Sequence, residues 1–378
     1  MGVGTNILGY ANTQIDSKVK DSINCGNIST LNNPEEVQLA EKLLDLHPGL
    51  DMARFARTGG EANAIAVRIA RAAQNDNKHK IAICGYHGWH DWYLATNLKN
   101  RNNLKNHLLP GLDPVGVHSK LKNTVYPFEY NDFQALKTLV DEKNIGIIKM
   151  EVSRNFGPKN NFLQKIRKLC DKKKIILIFD ECTSGFRESF GGLHKLYGVR
   201  PDMAMFGKAL GNGHAVTAVL GKRDIMDYSQ KSFISSTFWT ERSGSVAGLA
   251  TLGEMERIKS WKIISEKGKK IKKGWLELAK LHDLKINVSG LDALCSFSFA
   301  SANSNKYKTL ITQEMLSKKY LASNLVYVSV AHDEKSTDGY FNRLDEVFNL
   351  IKKCENDEIN IDKIIKSEPA HTTFKRLN

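Results

Sequence analysis

Two side chains of opposite charge could do chemistry together in this sequence, and each closes a short apolar run. Ile175 to Phe179 is continuously apolar and β-branched, and it stops at Asp180-Glu181. Met203 to Phe206 runs into Gly207-Lys208, followed by Gly211-Asn212-Gly213. Runs of this kind are strands buried on both faces, so a carboxylate and an amine stand at the carboxyl ends of neighbouring strands. A lysine there can form a Schiff base with an aldehyde cofactor, and an aspartate can keep a pyridinium nitrogen protonated. That chemistry is pyridoxal phosphate chemistry. Taken alone, the same pair also describes an ion pair at a strand edge.

The elements around the pair narrow the choice. Asn33-Pro34 is an N-cap followed by proline at the first helical position, and it opens a helix to about His47. Arg57-Thr58-Gly59-Gly60-Glu61-Ala62 begins a second helix, whose apolar positions Ala62, Ile65, Ala66, Ile69 and Ala73 fall on one side. Exposed amides at such a start bind anions, and glycines let a phosphate come close; a tight capped turn has the same look. Lys80 to Cys84 is a strand ending in Gly85-Tyr86-His87-Gly88. An aromatic there can lie on a planar ring, or simply pack in the core. Ile145 to Met150 is another buried strand, ending in Glu151. Tyr86, Glu151, Asp180 and Lys208 thus share one edge of an open α/β sheet, where such sheets bind ligands.

Other stretches read less sharply. Asn97 to Pro127 is polar and turn-rich, the pattern of a gating lid. Ser235 to Arg242 is a hydroxyl-rich loop before a helix to Ile258. Beyond Lys259 a lysine-rich helix, strand-like segments and a last helix near Tyr340 to Cys354 suggest a smaller α+β unit. The expected organisation is a short N-terminal segment (1–33), a large α/β domain (34–258) and a small C-terminal domain (259–378).

Composition excludes several classes. With 41% hydrophobic and 25% charged residues the chain is an ordinary globular protein. No apolar run has the length of a membrane span, and the start lacks the pattern of a signal peptide. The six cysteines, Cys25, Cys84, Cys170, Cys182, Cys295 and Cys354, have no CxxC spacing and read as reduced thiols of a cytoplasmic protein. His87 and His90 lack a third ligand at metal spacing, so no metal is expected. The net charge of +14 comes from dispersed lysines without a nucleic-acid motif, and reads as a solvated basic surface or a steering field for anionic substrates.

These motifs, in this order, resemble the class III aminotransferases of pyridoxal-phosphate fold type I, in particular the glutamate-1-semialdehyde aminomutase branch. The likeness is carried by Thr58-Gly59-Gly60-Glu61-Ala62, Tyr86-His87-Gly88, Met150-Glu151, Asp180-Glu181 with Gly185-Phe186-Arg187, and Pro201-Asp202 through Lys208. It implies a mostly parallel central sheet flanked by helices, pyridoxal 5'-phosphate as cofactor, and a homodimer with shared sites. It also implies roles. Lys208 would hold the cofactor covalently and shuttle protons, Asp180 would pair with the ring nitrogen, and Tyr86, beside His87, would stack on the ring. Thr58, Gly59 and Gly60 would take the phosphate, with Thr237 reaching the neighbouring subunit's cofactor. Glu151 would sit by the cofactor hydroxyl, and Cys182 would pack beneath the ring. Gly60 replaces the family's usual threonine or serine, and Cys182 its usual valine. The chain also starts close to a Gly9-Tyr10-Ala11 segment that in relatives follows an N-terminal arm, which implies a more open pocket or a shortened start.

The expected function is transfer of an amino group from a small-molecule donor to a keto or aldehyde acceptor. Intramolecular aminomutation, or decarboxylase or lyase chemistry on the same cofactor, is the alternative. A non-catalytic relative is disfavoured by the presence of Lys208, Asp180 and Tyr86 together. Arg54, Arg57, Arg154, Arg187 and Arg242 are candidates for gripping a substrate carboxylate, with Arg187 and Arg242 nearest the site loops.

Overall fold

The computed structural model describes residues 2–74, 78–153 and 155–371. Seven strands form the main sheet: β1 (Met52–Ala56), β2 (Lys80–Cys84), β3 (Val125–Pro127), β4 (Ile145–Glu151), β5 (Ile176–Asp180), β6 (Met203–Phe206) and β7 (Thr217–Gly221). Their spatial order is β1-β7-β6-β5-β4-β2-β3. From β6 to β3 the strands are parallel, whereas β7 runs antiparallel to both β6 and β1.

Buried β-branched runs give the central strands, and each face is covered by helices. Ile81, Ile83, Ile147, Ile178, Met203 and Met205 pack with Ala62, Ile65, Ala66 and Ile69 of helix Gly59–Ala73. On the opposite face Ile148, Met150, Leu177 and Phe179 pack with Leu136 and Val140 of helix Phe133–Lys143 and with Leu163, Ile166 and Cys170 of helix Phe162–Lys173. A parallel sheet covered on both sides leaves only its strand ends open to ligands.

Three antiparallel strands, β8 (Ile286–Leu291), β9 (Leu294–Phe299) and β10 (Leu325–Tyr327), form a second sheet in the order β10-β9-β8. Trp275, Phe297, Phe299, Tyr307 and Phe348 fill its core beneath helices Ser260–Leu281, Ser304–Ser317 and Glu334–Glu355. The N-terminal segment is stitched into both units. Val330 N donates to Ile7 O (2.9 Å), and Leu8 N donates to Asn212 Oδ1 (2.9 Å) in the loop that follows Lys208.

Three elements depart from the sequence reading. β1 was not anticipated, because its edge position leaves three of its five residues partly exposed and it becomes a strand only by pairing with β7. Helix Ser304–Ser317 has a weak apolar stripe and was also missed. The expected lid contains β3 and is tied down before it. Asn97 Nδ2 donates to Leu112 O (2.7 Å), Asn97 Oδ1 accepts from Leu104 N (3.0 Å), and Leu104 and Leu112 are buried. Its asparagines, which read as loop composition, close turns by side-chain-to-backbone bonds.

Candidate active site

Asp180 closes β5, with Glu151 of β4 on one side and Met205 of β6 on the other as register partners. The carboxylate is buried and held from two directions. His87 Nδ1 donates to Oδ2 (2.9 Å), and Cys182 N donates to Oδ1 (3.1 Å). Burial alone would raise the Asp180 pKa, but the charge of Lys149 and the His87 hydrogen bond overcome it and hold the carboxylate well below its ordinary range. Burial pushes His87 down to about 4, so its ring is neutral at physiological pH, and its Nε2 has no hydrogen-bond partner among the described residues.

Lys208 follows β6 across Gly207 and takes up a left-handed backbone, φ 40°. For a non-glycine residue that conformation stores about 1–3 kcal/mol and is found where function over-determines the backbone. Its Nζ donates to Thr183 Oγ1 (2.8 Å). Burial lowers the amine's pKa, and the Arg187 guanidinium lowers it further. A lysine in this state gives up its proton more readily than an exposed one.

Thr58 caps helix Gly59–Ala73, its Oγ1 accepting from Glu61 N (3.3 Å). Gly59 and Gly60 are the helix's first residues, and a helix leaves its first amides without an intrahelical acceptor. The loop after β2 lies against this start. Gly88, at φ 91°, approaches so closely that a Cβ there would meet Gly60 Cα at 2.8 Å. Gly85, at φ 116°, leaves room for Glu151, whose Oε2 accepts from Tyr86 N (3.1 Å). The Tyr86 ring is partly exposed and meets Tyr93 edge-on at 6.1 Å. Cys182 Sγ stands 3.8 Å from where a Cβ on Gly59 would sit, and 3.4 Å from one on Gly207. A cavity of about 330 Å³ adjoins Gly85 and Glu151, lined also by Glu129, Tyr130 and Phe156.

The candidate arginines separate. Arg54 Nη2 donates to Ile234 O (2.6 Å), and Arg57 donates to the carbonyls of Phe238 (2.8 Å), Trp239 (2.8 Å) and Glu241 (2.7 Å). Arg54 fastens the loop carrying Thr237 to β1, and Arg57 fastens it just ahead of helix Gly59–Ala73. Thr237 itself is exposed. Arg242 grips Glu35 bidentately (2.8 and 2.6 Å) in the wall of a groove that none of the residues around Lys208 lines. Arg187 is buried, donates to the carbonyls of Thr183 and Gly4, and has no partner for Nη1 among the described residues. Arg154 lies outside the described residues.

Sequence reasoning missed Thr183 and Lys149. Nothing singles out the threonine, but a lone lysine inside the otherwise apolar Ile145–Met150 run was a readable signal. The residues present fit pyridoxal phosphate. They offer free helix-start amides for a phosphate, an ionised buried carboxylate for a ring nitrogen, and a buried amine of lowered basicity for an aldehyde.

Comparison with known proteins agrees. The model of the class-III aminotransferase family matches residues 1–331. The chain is 34% identical over 320 residues to the 3-aminobutyryl-CoA aminotransferase of Cloacimonas acidaminovorans, covering 82% of this chain and 73% of the relative. It is 29% identical over 374 residues to the glutamate-1-semialdehyde 2,1-aminomutase of Ignicoccus hospitalis, covering 93% and 87%. The solved structure of the PLP internal aldimine form of the Sphingopyxis sp. MTA144 FumI protein superposes with a TM-score of 0.83 at 20% identity, covering 93% of this chain and 84% of that one, which shows a shared fold.

Proposed function

The chain belongs to the class III aminotransferases, enzymes that work with pyridoxal phosphate, and we propose that it passes an amino group from a donor to the carbonyl of a second substrate at the cluster around Lys208 and Asp180. The observation that carries this is the pairing of a buried carboxylate held ionised with a buried amine of lowered basicity at adjacent strand ends. When bound, pyridoxal phosphate supplies an aldehyde that takes up the amino group and a ring that withdraws electrons from the substrate carbon.

The chain's own residues do the rest. Asp180, oriented by His87, holds a proton on the ring nitrogen. The amides of Gly59 and Gly60 bind the phosphate with the positive end of their helix, with Thr58 fixing that end. Tyr86 and Cys182 would pack against the ring. Glu151, next to Asp180 in register, would meet the ring hydroxyl. Lys208 would take the proton from the substrate carbon and hold it for return, with Thr183 setting where the amine rests. Arg187 lowers the basicity of Lys208, and its unpartnered Nη1 is the group left to receive a substrate carboxylate.

A second copy of the chain completes the phosphate site. Thr237 lies in an exposed loop beside Phe233 and Phe238, which are 88% and 62% exposed, a surface suited to burial in a homodimer. Free cysteines at all six positions support a reducing, cytoplasmic setting. No helix among the described residues is long and apolar enough to cross a membrane.

Among substrates, a β-amino thioester of coenzyme A comes first. One relative bears the name of such an activity, and a +14 chain steers toward a polyanionic nucleotide. The relatives named aminomutase favour a second reading, transfer within a single molecule. The loaded protein is mixed with 3-aminobutyryl-CoA, glutamate or glutamate-1-semialdehyde, and products are identified. A keto product that exceeds one equivalent per site only when an acceptor is present supports transfer between substrates, whereas an isomer formed over many turnovers without acceptor supports the mutase. Carbon dioxide as product rejects both.

A further inference from the structure

Lys149 is fully buried in the middle of β4. Its register partners are Ile83 of β2 and Ile178 of β5, so its side chain leaves the sheet on the face that carries Glu151 and Asp180. Nζ reaches across β5 to Met205 Sδ (3.0 Å), and Met205 is the register partner of Asp180. A thioether is a weak acceptor and carries no charge, so this contact cannot by itself compensate a buried ammonium. An apolar residue of the same length would fill the space more cheaply, and the position must therefore gain something from the charge.

The gain lies at Asp180. Burial pulls Lys149 toward its neutral form, and Asp180 is the foremost influence opposing that. Reciprocally, Lys149 is the foremost influence opposing the effect of burial on Asp180, ahead of His87 and the Cys182 amide. His87 cannot play the same part, because its buried ring is neutral and donates a hydrogen bond without a charge. The other titratable groups acting on Lys149 are Cys182 and Glu151, and both rank behind Asp180. Lys208 also lies within the field of Asp180, but its amine is the one the cofactor would take up, so Lys149 is the cation that stays with the carboxylate.

We propose that Lys149 is a positioning residue for Asp180: it is the buried counter-charge that keeps the carboxylate available to the cofactor's ring nitrogen, while His87 fixes the carboxylate's orientation. The proposal rests on the reading of Asp180 as the ring-nitrogen partner, and the test separates the two.

Cofactor-free protein is titrated with pyridoxal phosphate, and kcat and KM for the amino donor are measured on the loaded protein. The variants are Lys149→Met, Lys149→Arg, Asp180→Asn and the double variant Lys149→Met/Asp180→Asn. Lys149→Met is expected to weaken cofactor binding and to lower kcat, each about tenfold, with KM unchanged. Lys149→Arg restores most of both. On the Asp180→Asn background, Lys149→Met changes either quantity by less than about twofold. The proposal is overturned if the losses of the two single variants multiply, or if Lys149→Met moves only the denaturation midpoint. Should the methionine variant not fold, Lys149→Gln, polar but uncharged, carries the same expectations. Asp180→Asn alone leaving affinity and turnover intact would overturn the site reading, and the proposal with it.

Discussion

Lys208 and Thr183 are joined by a 2.8 Å hydrogen bond from amine to hydroxyl, and the carbonyl of the same threonine is held by Arg187. The amine's resting place is thus set by a residue that is itself anchored. Thr183→Val removes the hydroxyl and keeps the shape. It is expected to lower kcat about tenfold with little change in KM, since a hydrogen bond to a charged group contributes about 1.5–3 kcal/mol. Steady-state kinetics on the variant checks this, and an unchanged kcat would remove Thr183 from the site.

Asp180→Asn leaves a side chain of the same size that cannot hold a ring proton by charge. Turnover is expected to fall by about 10²–10³-fold, the size of loss seen when a preorganised electrostatic partner is removed. Single-turnover kinetics with an amino donor separates this from weaker binding, because the loss must appear in the rate of the half-reaction at saturating donor.

Gly88→Ala tests the cradle from outside it. The added Cβ would stand 2.8 Å from Gly60 Cα at a backbone φ of 91°, so either the loop or the helix start must shift. Strain of about 1–3 kcal/mol is expected in the fold, and affinity for pyridoxal phosphate should fall by more than that strain alone implies. Chemical denaturation of the cofactor-free protein and cofactor titration give the two numbers to compare.

Two buried histidines make stability depend on pH. Burial pushes His47 and His87 down to about 4 from an ordinary 6.5. An unfolded chain takes up both protons as the pH falls below about 6.5, and the folded chain does not until about 4. Their contribution is therefore complete above 6.5 and is lost progressively down to 4, at up to about 1.4 kcal/mol per pH unit for each histidine. Denaturation midpoints of the cofactor-free protein should fall between pH 7 and pH 5. His47→Gln, at the ring that accepts from the Gly192 amide (3.0 Å), should flatten that dependence.

The parts of the site legible in the sequence are those that local pattern fixes. Asp180, Glu151 and Lys208 were visible because β-branched runs with no polar break announce buried central strands, and a residue at the close of such a run stands at the strand's carboxyl end. Gly59-Gly60 was visible because a capped, glycine-led helix start is a local event. The functions of Arg54 and Arg57 were not legible, because their acceptors are backbone carbonyls some 180 residues away and any sequence could supply them. The pairing of Arg242 with Glu35 was not legible for the same reason, since Glu35 lies on a helix distant in sequence. β1 escaped because an edge strand takes its identity from its neighbour. Lys149 went unremarked although its break in the apolar run was plain, for only the register with Asp180 and Met205 shows what the charge faces.

The central claim is that Lys208 is the residue that carries the cofactor. Loaded protein is reduced with borohydride, which makes the link between cofactor and lysine permanent, then digested, and the modified peptide is found by mass spectrometry. The label is predicted on Lys208 and absent from a Lys208→Ala variant. Label on another lysine, Lys149 above all, or a Lys208→Ala protein that keeps both its label and its turnover, would contradict the account.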